Sequence, residues 1–155
     1  MIAVLQRVEN ASVTIDGAVK GKCGQGLLIL LGVTKGDSEL DAAVLAEKIS
    51  KLRIFSDDND KMNLSVSDIN GSALVISNFT LCADYKKGNR PDYFHAAEPD
   101  IANNLYEQFV ILLRERITNV ECGEFGADMK IALINDGPVT ITMDSEVLMK
   151  KQVTL

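Results

Sequence analysis

A glycine–proline pair inside a run of strand-forming residues constrains this chain most. The run extends from Lys130 to Met143. Ile131, Leu133, Val139 and Ile141 flank Asn135-Asp136-Gly137-Pro138. Proline has no N–H to give to a ladder and glycine weakens one, so the strand must be interrupted there and expose backbone. X-Pro is also the one peptide bond that turns cis at modest cost. Such a unit can present two carbonyls in a fixed direction with no bulky side chain in front. A second segment has a related form. Ser72 to Leu81 reads as a strand, and its end, Ser77-Asn78-Phe79-Thr80-Leu81, puts small polar groups where a sheet would normally continue.

The rest of the chain supplies the partners for these strands. Residues 2–8 and 11–15 read as strands, and Asp16-Gly17 is a hairpin signal with Val19 on the returning strand. Gly26 to Val33 is apolar enough for a central buried strand. Asp37 or Ser38 caps a helix reaching about Arg53, with Leu45, Ile49 and Leu52 on its apolar face. Pro99 opens a second helix to about Ile117, with Ile101, Leu105, Phe109 and Leu112 facing inward. Val120 to Phe125 is a further strand. Between Ala83 and Pro99 lies a polar loop broken by Gly88 and Pro91, long enough to suggest a functional role. Strands and helices do not alternate, which argues against a doubly wound sheet. The expectation is one α+β domain over residues 1–155: a curled, mostly antiparallel, barrel-like sheet with two amphipathic helices.

Several function classes fall away. The longest apolar stretch has the length of a strand, not of a membrane span, and the N-terminus reads as a strand without a basic leader. A cytoplasmic protein with no membrane partner is expected. Cys23, Cys82 and Cys122 are odd in number and far apart, and His95 is the only histidine. They suggest reduced thiols, no metal and no cofactor. The acidic turn Asp57-Asp58-Asn59-Asp60 lacks the glycine and glutamate spacing of a calcium loop. A net charge of −6 argues against avid, non-specific nucleic-acid binding, although Lys86, Lys87 and Arg90 form a local basic cluster. Lys150 and Lys151 form a second, weaker one.

Nucleophilic chemistry has thin support. Ser77 and Thr80 are candidate nucleophiles, and His95 is the only candidate imidazole base. A Ser/His or Thr/His pair stays open, with a loop histidine of no catalytic role the favoured reading. There is no paired-carboxylate site and no phosphate-binding glycine loop. Chemistry by backbone remains: N–H donors at 77–81 for a developing oxyanion, and fixed carbonyls at Gly137-Pro138. Backbone alone suffices only for a bond that is already labile, such as an activated ester.

These two segments resemble the paired signatures of the D-aminoacyl-tRNA deacylases, also called D-tyrosyl-tRNA deacylases, written SQFTL and NxGPVT. Gln6-Arg7-Val8 with Ala11-Ser12-Val13 is similar to the family's start. Lys87-Gly88-Asn89-Arg90-Pro91, Ala96-Ala97-Glu98-Pro99 and Gly126-Ala127-Asp128-Met129 match it further along. The likeness covers essentially the whole chain in the right order. One departure is Asn78, where the family has glutamine. The amide is kept, one methylene shorter.

The resemblance implies an enzyme that hydrolyses the ester joining a D-amino acid, or mischarged glycine, to the 3′ end of tRNA. It implies a homodimer in which each subunit inserts a cis Gly137-Pro138 into its partner's site, forming a backbone wall that rejects L-amino acids. Ser77, Asn78, Phe79 and Thr80 would form the catalytic side, through backbone N–H donors. Thr80 would either attack or organise a site in which the RNA's own 2′-hydroxyl assists. Gly137, Pro138, Asn135, Met129 and Arg7 would bind substrate, with Arg7 bracing the Gly-Pro segment. Lys86, Lys87 and Arg90 would meet the tRNA acceptor end. Two other readings are a catalytically silent binding module, favoured by Asn78, and a relative that edits L-amino acids, as some threonyl-tRNA synthetase domains do.

Overall fold

Ile2–Ile15 form one unbroken strand, β1, in the computed structural model, which describes residues 1–150. The two segments 2–8 and 11–15 are thus halves of a single element. Its first half pairs antiparallel with β3 (Gly26–Gly32), and its second half pairs antiparallel with β2 (Ala18–Cys23). Along its other edge runs β8 (Lys130–Asp144), also antiparallel. The sheet continues from β3 through β6 (Ser72–Ser77) to β7 (Asn119–Cys122), and these two ladders are parallel. A separate ribbon joins β4 (Phe55–Ser56) to β5 (Met62–Leu64). The result is the expected α+β fold around a curled sheet.

Among the described residues three helices complete it, not two. They are α1 (Glu39–Lys51), α2 (Pro99–Arg114) and α3 (Ser145–Lys150). The sheet buries two apolar clusters, one on each face. The larger joins Leu5, Ile29 and Leu31 to Leu45 and Ile49 of α1 and to Phe109 and Leu113 of α2. The smaller gathers Val8, Val13, Leu28, Leu74 and Ile76, with Met129, Ile131 and Leu133 partly buried against it. The inward face of α2 is turned from the expected one. Ala102, Tyr106 and Val110 are buried with Leu105 and Phe109, while Ile101 is exposed and Leu112 only half-buried. The buried arc is centred on Leu105, Phe109 and Leu113, and Ile101 and Leu112 fall at its margin, where spacing alone does not fix how far burial reaches.

A polar network ties both ends of the sheet to α1. The Met1 ammonium donates to Asp37 Oδ1 at 2.7 Å and to Ser145 Oγ at 2.6 Å. Ser145 Oγ in turn donates to Asp41 Oδ1 at 2.7 Å, and the Ser38 N–H donates to Asp41 Oδ2 at 2.8 Å. Burial pushes the Asp41 carboxyl up, but donors from Ser145 and Ser38 and the nearby ammonium outweigh it and hold the value below the usual 3.8. A depressed folded value contributes stability above the ordinary carboxylate pKa, which is lost as pH falls through the folded one. The melting temperature should therefore hold at neutral pH and fall below about pH 4. Asp41→Asn should cost about 2 kcal/mol at pH 7 and flatten that acid limb. An unchanged acid limb in the variant would place the effect elsewhere.

Candidate active site

The site begins where β6 stops. β6 lies parallel to β3 with Ser77 opposite Leu31, and the Asn78 N–H makes one further bond to the Leu31 carbonyl at 2.8 Å. The chain then leaves the sheet as a 3₁₀ turn, Phe79–Cys82, so the strand is four residues shorter than expected. Asn78 causes the change, because its side-chain oxygen accepts from the Thr80 N–H at 3.2 Å and caps the turn. The turn overhangs a cleft of about 820 Å³. Leu28, Leu30, Ile76 and Met129 give the cleft an apolar floor, and Gln6, Ser77, Asn78 and Thr80 put polar groups on its rim.

The hydrogen bonds of the turn decide what it can do. The Asn78 amide oxygen also accepts from the Thr80 hydroxyl. Thr80 thus donates its proton to a neutral amide, which cannot activate it as a nucleophile. His95 lies elsewhere, 3.8 Å from Asp84 Oδ2, lining a separate cavity of about 520 Å³ with Met1 and Asp37. The cleft holds no histidine among its described lining residues, so no Ser/His or Thr/His pair forms. The backbone donors are narrowed as well. The Asn78 N–H is bonded to Leu31, the Thr80 N–H to Asn78, and the Leu81 N–H to the Asn78 carbonyl at 3.3 Å. Phe79 opens the turn, and its N–H has no partner among the described residues. It is left as an unsatisfied donor on a residue that lines the cleft, a kind of group that can meet a developing charge.

Asn78→Ala tests this local design. Loss of the cap should cost about 1 kcal/mol. It should also release the Thr80 hydroxyl and N–H and loosen the Phe79 N–H. Any reaction that depends on this donor should slow about tenfold while the melting temperature moves by only a few degrees. A variant with full activity would show that the cap does not hold the donor.

The Gly-Pro segment stands outside this cleft. Gln6 pairs with Thr140 and Val8 with Asn135, so Asp136 to Val139 bulge out of the β1–β8 ladder. The Gly137-Pro138 peptide is cis, and both residues are exposed. Asn135 closes the bulge: its Oδ1 accepts from the Val139 N–H at 2.8 Å, and its Nδ2 donates to the Val139 carbonyl at 3.1 Å. Arg7 grips it from below. Its Nε donates to the Asp136 carbonyl at 2.8 Å, and its Nη1 donates to the Ile54 carbonyl at 2.8 Å. None of Arg7, Asn135, Gly137 or Pro138 lines the cleft of the same chain.

Lys86, Lys87 and Arg90 sit in the long loop, which is pinched shut by a backbone bridge between Asp84 and Asp92. All three are exposed. Lys150, in α3, is paired with Glu146 at 2.6 Å, and Lys151 lies outside the described residues. Sequence reasoning gave no role to Gln6, Phe125 or Ala96, which also line the cleft. Gln6 had a signal, as the polar member of an otherwise apolar strand start.

Comparison with known proteins bears on the whole of this arrangement. The family model for D-Tyr-tRNA(Tyr) deacylase matches residues 4–144. A D-aminoacyl-tRNA deacylase of Thermosipho africanus (strain TCF52B) is 55% identical over 146 residues, covering 94% of this chain and 98% of that protein. Its counterpart in Anaeromyxobacter dehalogenans (strain 2CP-C) is 54% identical over 145 residues, covering 94% and 97%. A solved structure described as c-Myc DNA Unwinding Element Binding Protein is 38% identical with a TM-score of 0.88, covering 93% of this chain and 98% of that one. A probable eukaryotic D-amino acid tRNA deacylase, 13% identical, shares the fold with a TM-score of 0.77 over 92% of this chain and 97% of its own. With its strand-end turn, its braced Gly-Pro bulge and a family match spanning nearly its full length, the chain belongs to the D-Tyr-tRNA(Tyr) deacylase family.

Proposed function

We propose that this protein hydrolyses the ester of D-aminoacyl-tRNA, and of glycine mischarged on tRNA, releasing free amino acid and tRNA. The observation that carries the reading is the free Phe79 N–H at the mouth of the cleft, on a turn that the family's signature occupies. Water attacks the ester carbonyl, and the Phe79 N–H stabilises the oxyanion. The carbon–oxygen bond to the ribose then breaks, and the 3′-oxygen leaves with a proton. The neighbouring 2′-hydroxyl of the RNA assists, and Thr80, locked to Asn78, organises the turn and does not attack. No metal or cofactor enters this scheme. On this reading substrate and protein meet in the cytoplasm.

The Gly-Pro bulge is assigned to the partner's site. It projects from β8, a strand whose only partner among the described residues is β1, and it lies outside its own chain's cleft. Both facts support a homodimer in which Gly137 and Pro138 enter the second copy's cleft. Arg7 and Asn135 position the bulge, Met129 shapes the floor, and the two backbone carbonyls hold the substrate's α-amino group. The wall leaves no room for an L side chain and ignores which D side chain is present.

Deacylation of one tRNA charged in parallel with D-tyrosine, L-tyrosine and glycine tests the reading. Rapid loss of D-tyrosine and glycine with L-tyrosine spared is expected. With few phosphates contacted by Lys86, Lys87 and Arg90, a plot of log affinity against log salt should have a slope no steeper than about −3. A binding module without catalysis is the second reading, favoured by Asn78 and by the name of the 38% identical neighbour. Intact substrate after long incubation at high enzyme concentration would select it.

A further inference from the structure

The chain has five phenylalanines, three tyrosines and no tryptophan. Four of these rings are exposed, and all four fall between residues 79 and 94. Phe79 is 57% exposed, Tyr85 79%, Tyr93 37% and Phe94 75%. Burying such rings is the ordinary outcome, so four together outside the core need a reason. They are not loosely held. Phe79 and Tyr93 meet edge to face with centroids 5.0 Å apart. The segment behind them is sewn to the end of β3: the Lys35 N–H donates to the His95 carbonyl at 2.9 Å, and the Ala97 N–H to the Val33 carbonyl at 3.0 Å.

Charge at this surface runs against that of the whole molecule. Lys35, Lys86, Lys87 and Arg90 stand among the rings, and none has an ion pair among the described residues. Lys35 Nζ lies 5.9 Å from the Phe94 ring centroid. The nearby acids are occupied at the loop's base. Asp84 Oδ1 accepts from the Lys86 N–H at 3.0 Å and Oδ2 faces His95, while Asp92 Oδ1 accepts from the Phe94 N–H at 3.2 Å. In a chain of net charge −6, this loop offers cations outside any ion pair among the described residues together with exposed rings. Single-stranded nucleic acid is recognised by that combination: cations track phosphates while rings stack on bases.

We propose that Tyr85, Tyr93 and Phe94, with Lys35, form a stacking platform for the unpaired nucleotides that precede the terminal adenosine of the RNA. The inference rests on the deacylase reading, and it names ligand groups beyond the reacting ester. Continuity carries it, because Phe79 both lines the cleft and touches Tyr93. A strand whose last nucleotide enters the cleft crosses these rings next. Stacking tolerates any base.

Phe94→Ala and Tyr85→Ala test the platform, with Phe94→Trp and Tyr85→Phe as conservative partners. Each variant is assayed on D-tyrosyl-tRNA and on D-tyrosyl-adenosine, which has no preceding nucleotides. The alanine variants should raise KM on the tRNA about tenfold more than on the adenosine ester, with kcat little changed, and the aromatic variants should restore it. Anisotropy with a 5′-labelled, uncharged ACCA tetranucleotide should show the same loss without any turnover. Equal losses on both substrates would make the rings supports of the cleft and overturn the platform. So would unchanged ACCA binding, or a changed oligomeric state in sedimentation, which would make them a contact between copies. Failure of the wild-type protein to cleave D-tyrosyl-tRNA would instead sink the deacylase reading, whatever ACCA binding shows.

Discussion

Gly26→Ala should abolish the fold. Gly26 pairs with Ser72 where β3 meets β6, and a Cβ there would stand 1.8 Å from the Ser72 carbonyl oxygen and 2.7 Å from its carbon. Neither atom belongs to a flexible side chain, so the two strands must separate. Separation moves every later pair in this ladder, including Leu31 with Ser77, from which the 3₁₀ turn departs. The cost should exceed about 4 kcal/mol, most of the stability of a marginal domain. Insoluble expression, or a melting temperature lowered by about 15 °C, is the expected result. Gly24→Ala is the control, because a Cβ there meets nothing within 4 Å. A Gly26→Ala protein that melted with the wild type would refute the packing described for this ladder.

Gly137→Ala should spare the fold and remove the activity. The residue has φ +146, and an added Cβ would lie 2.8 Å from both Val139 Cγ2 and Val139 N. An L side chain strains that backbone and pushes the bulge off the grip of Arg7 and Asn135. The bulge is exposed, so the sheet can absorb the shift with a loss of about 1–2 kcal/mol. The site proposed to receive it has less tolerance. A displacement of about 1 Å in a positioning element can cost about a hundredfold in rate. kcat/KM on D-tyrosyl-tRNA should therefore fall about a hundredfold, and the preference over L-tyrosyl-tRNA should narrow. Full selectivity in a variant with an unchanged melt would remove Gly137 from the proposed chiral wall.

Periodicity located most elements, while hydrogen bonds set their ends. Leu45 and Ile49 gave away α1, because both recur at helical spacing and both are buried. In α2 the apolar arc is wide, and packing chose its Tyr106 and Val110 side over the Ile101 margin. The true end of β6 was written in Asn78, a capping residue placed where the apolar run continues to Phe79. An apolar run argues for strand, and the amide overruled it. α3 was missed because Ser145–Lys150 is short and follows β8 without a break. The halves of the site separated for a comparable reason. Motif order pointed to Ser77–Thr80 and Gly137-Pro138, and insertion into a partner's site came only from the family resemblance, since order itself carries no information about which chain's cleft a bulge can reach.

The pairing of β1 with β8 also sets a timetable for synthesis. Ile2 lies opposite Asp144, and the Ser145 N–H closes on the Met1 carbonyl at 2.9 Å. During synthesis β1 therefore keeps one edge unsatisfied until β8 has followed it. Until then that edge is a ready template for the wrong strand, in the same chain or a neighbour. Nascent chains halted before residue 130 should consequently aggregate or recruit chaperones, with no stable half-domain to wait in. A strand made early thus waits for β8 before both of its edges are paired.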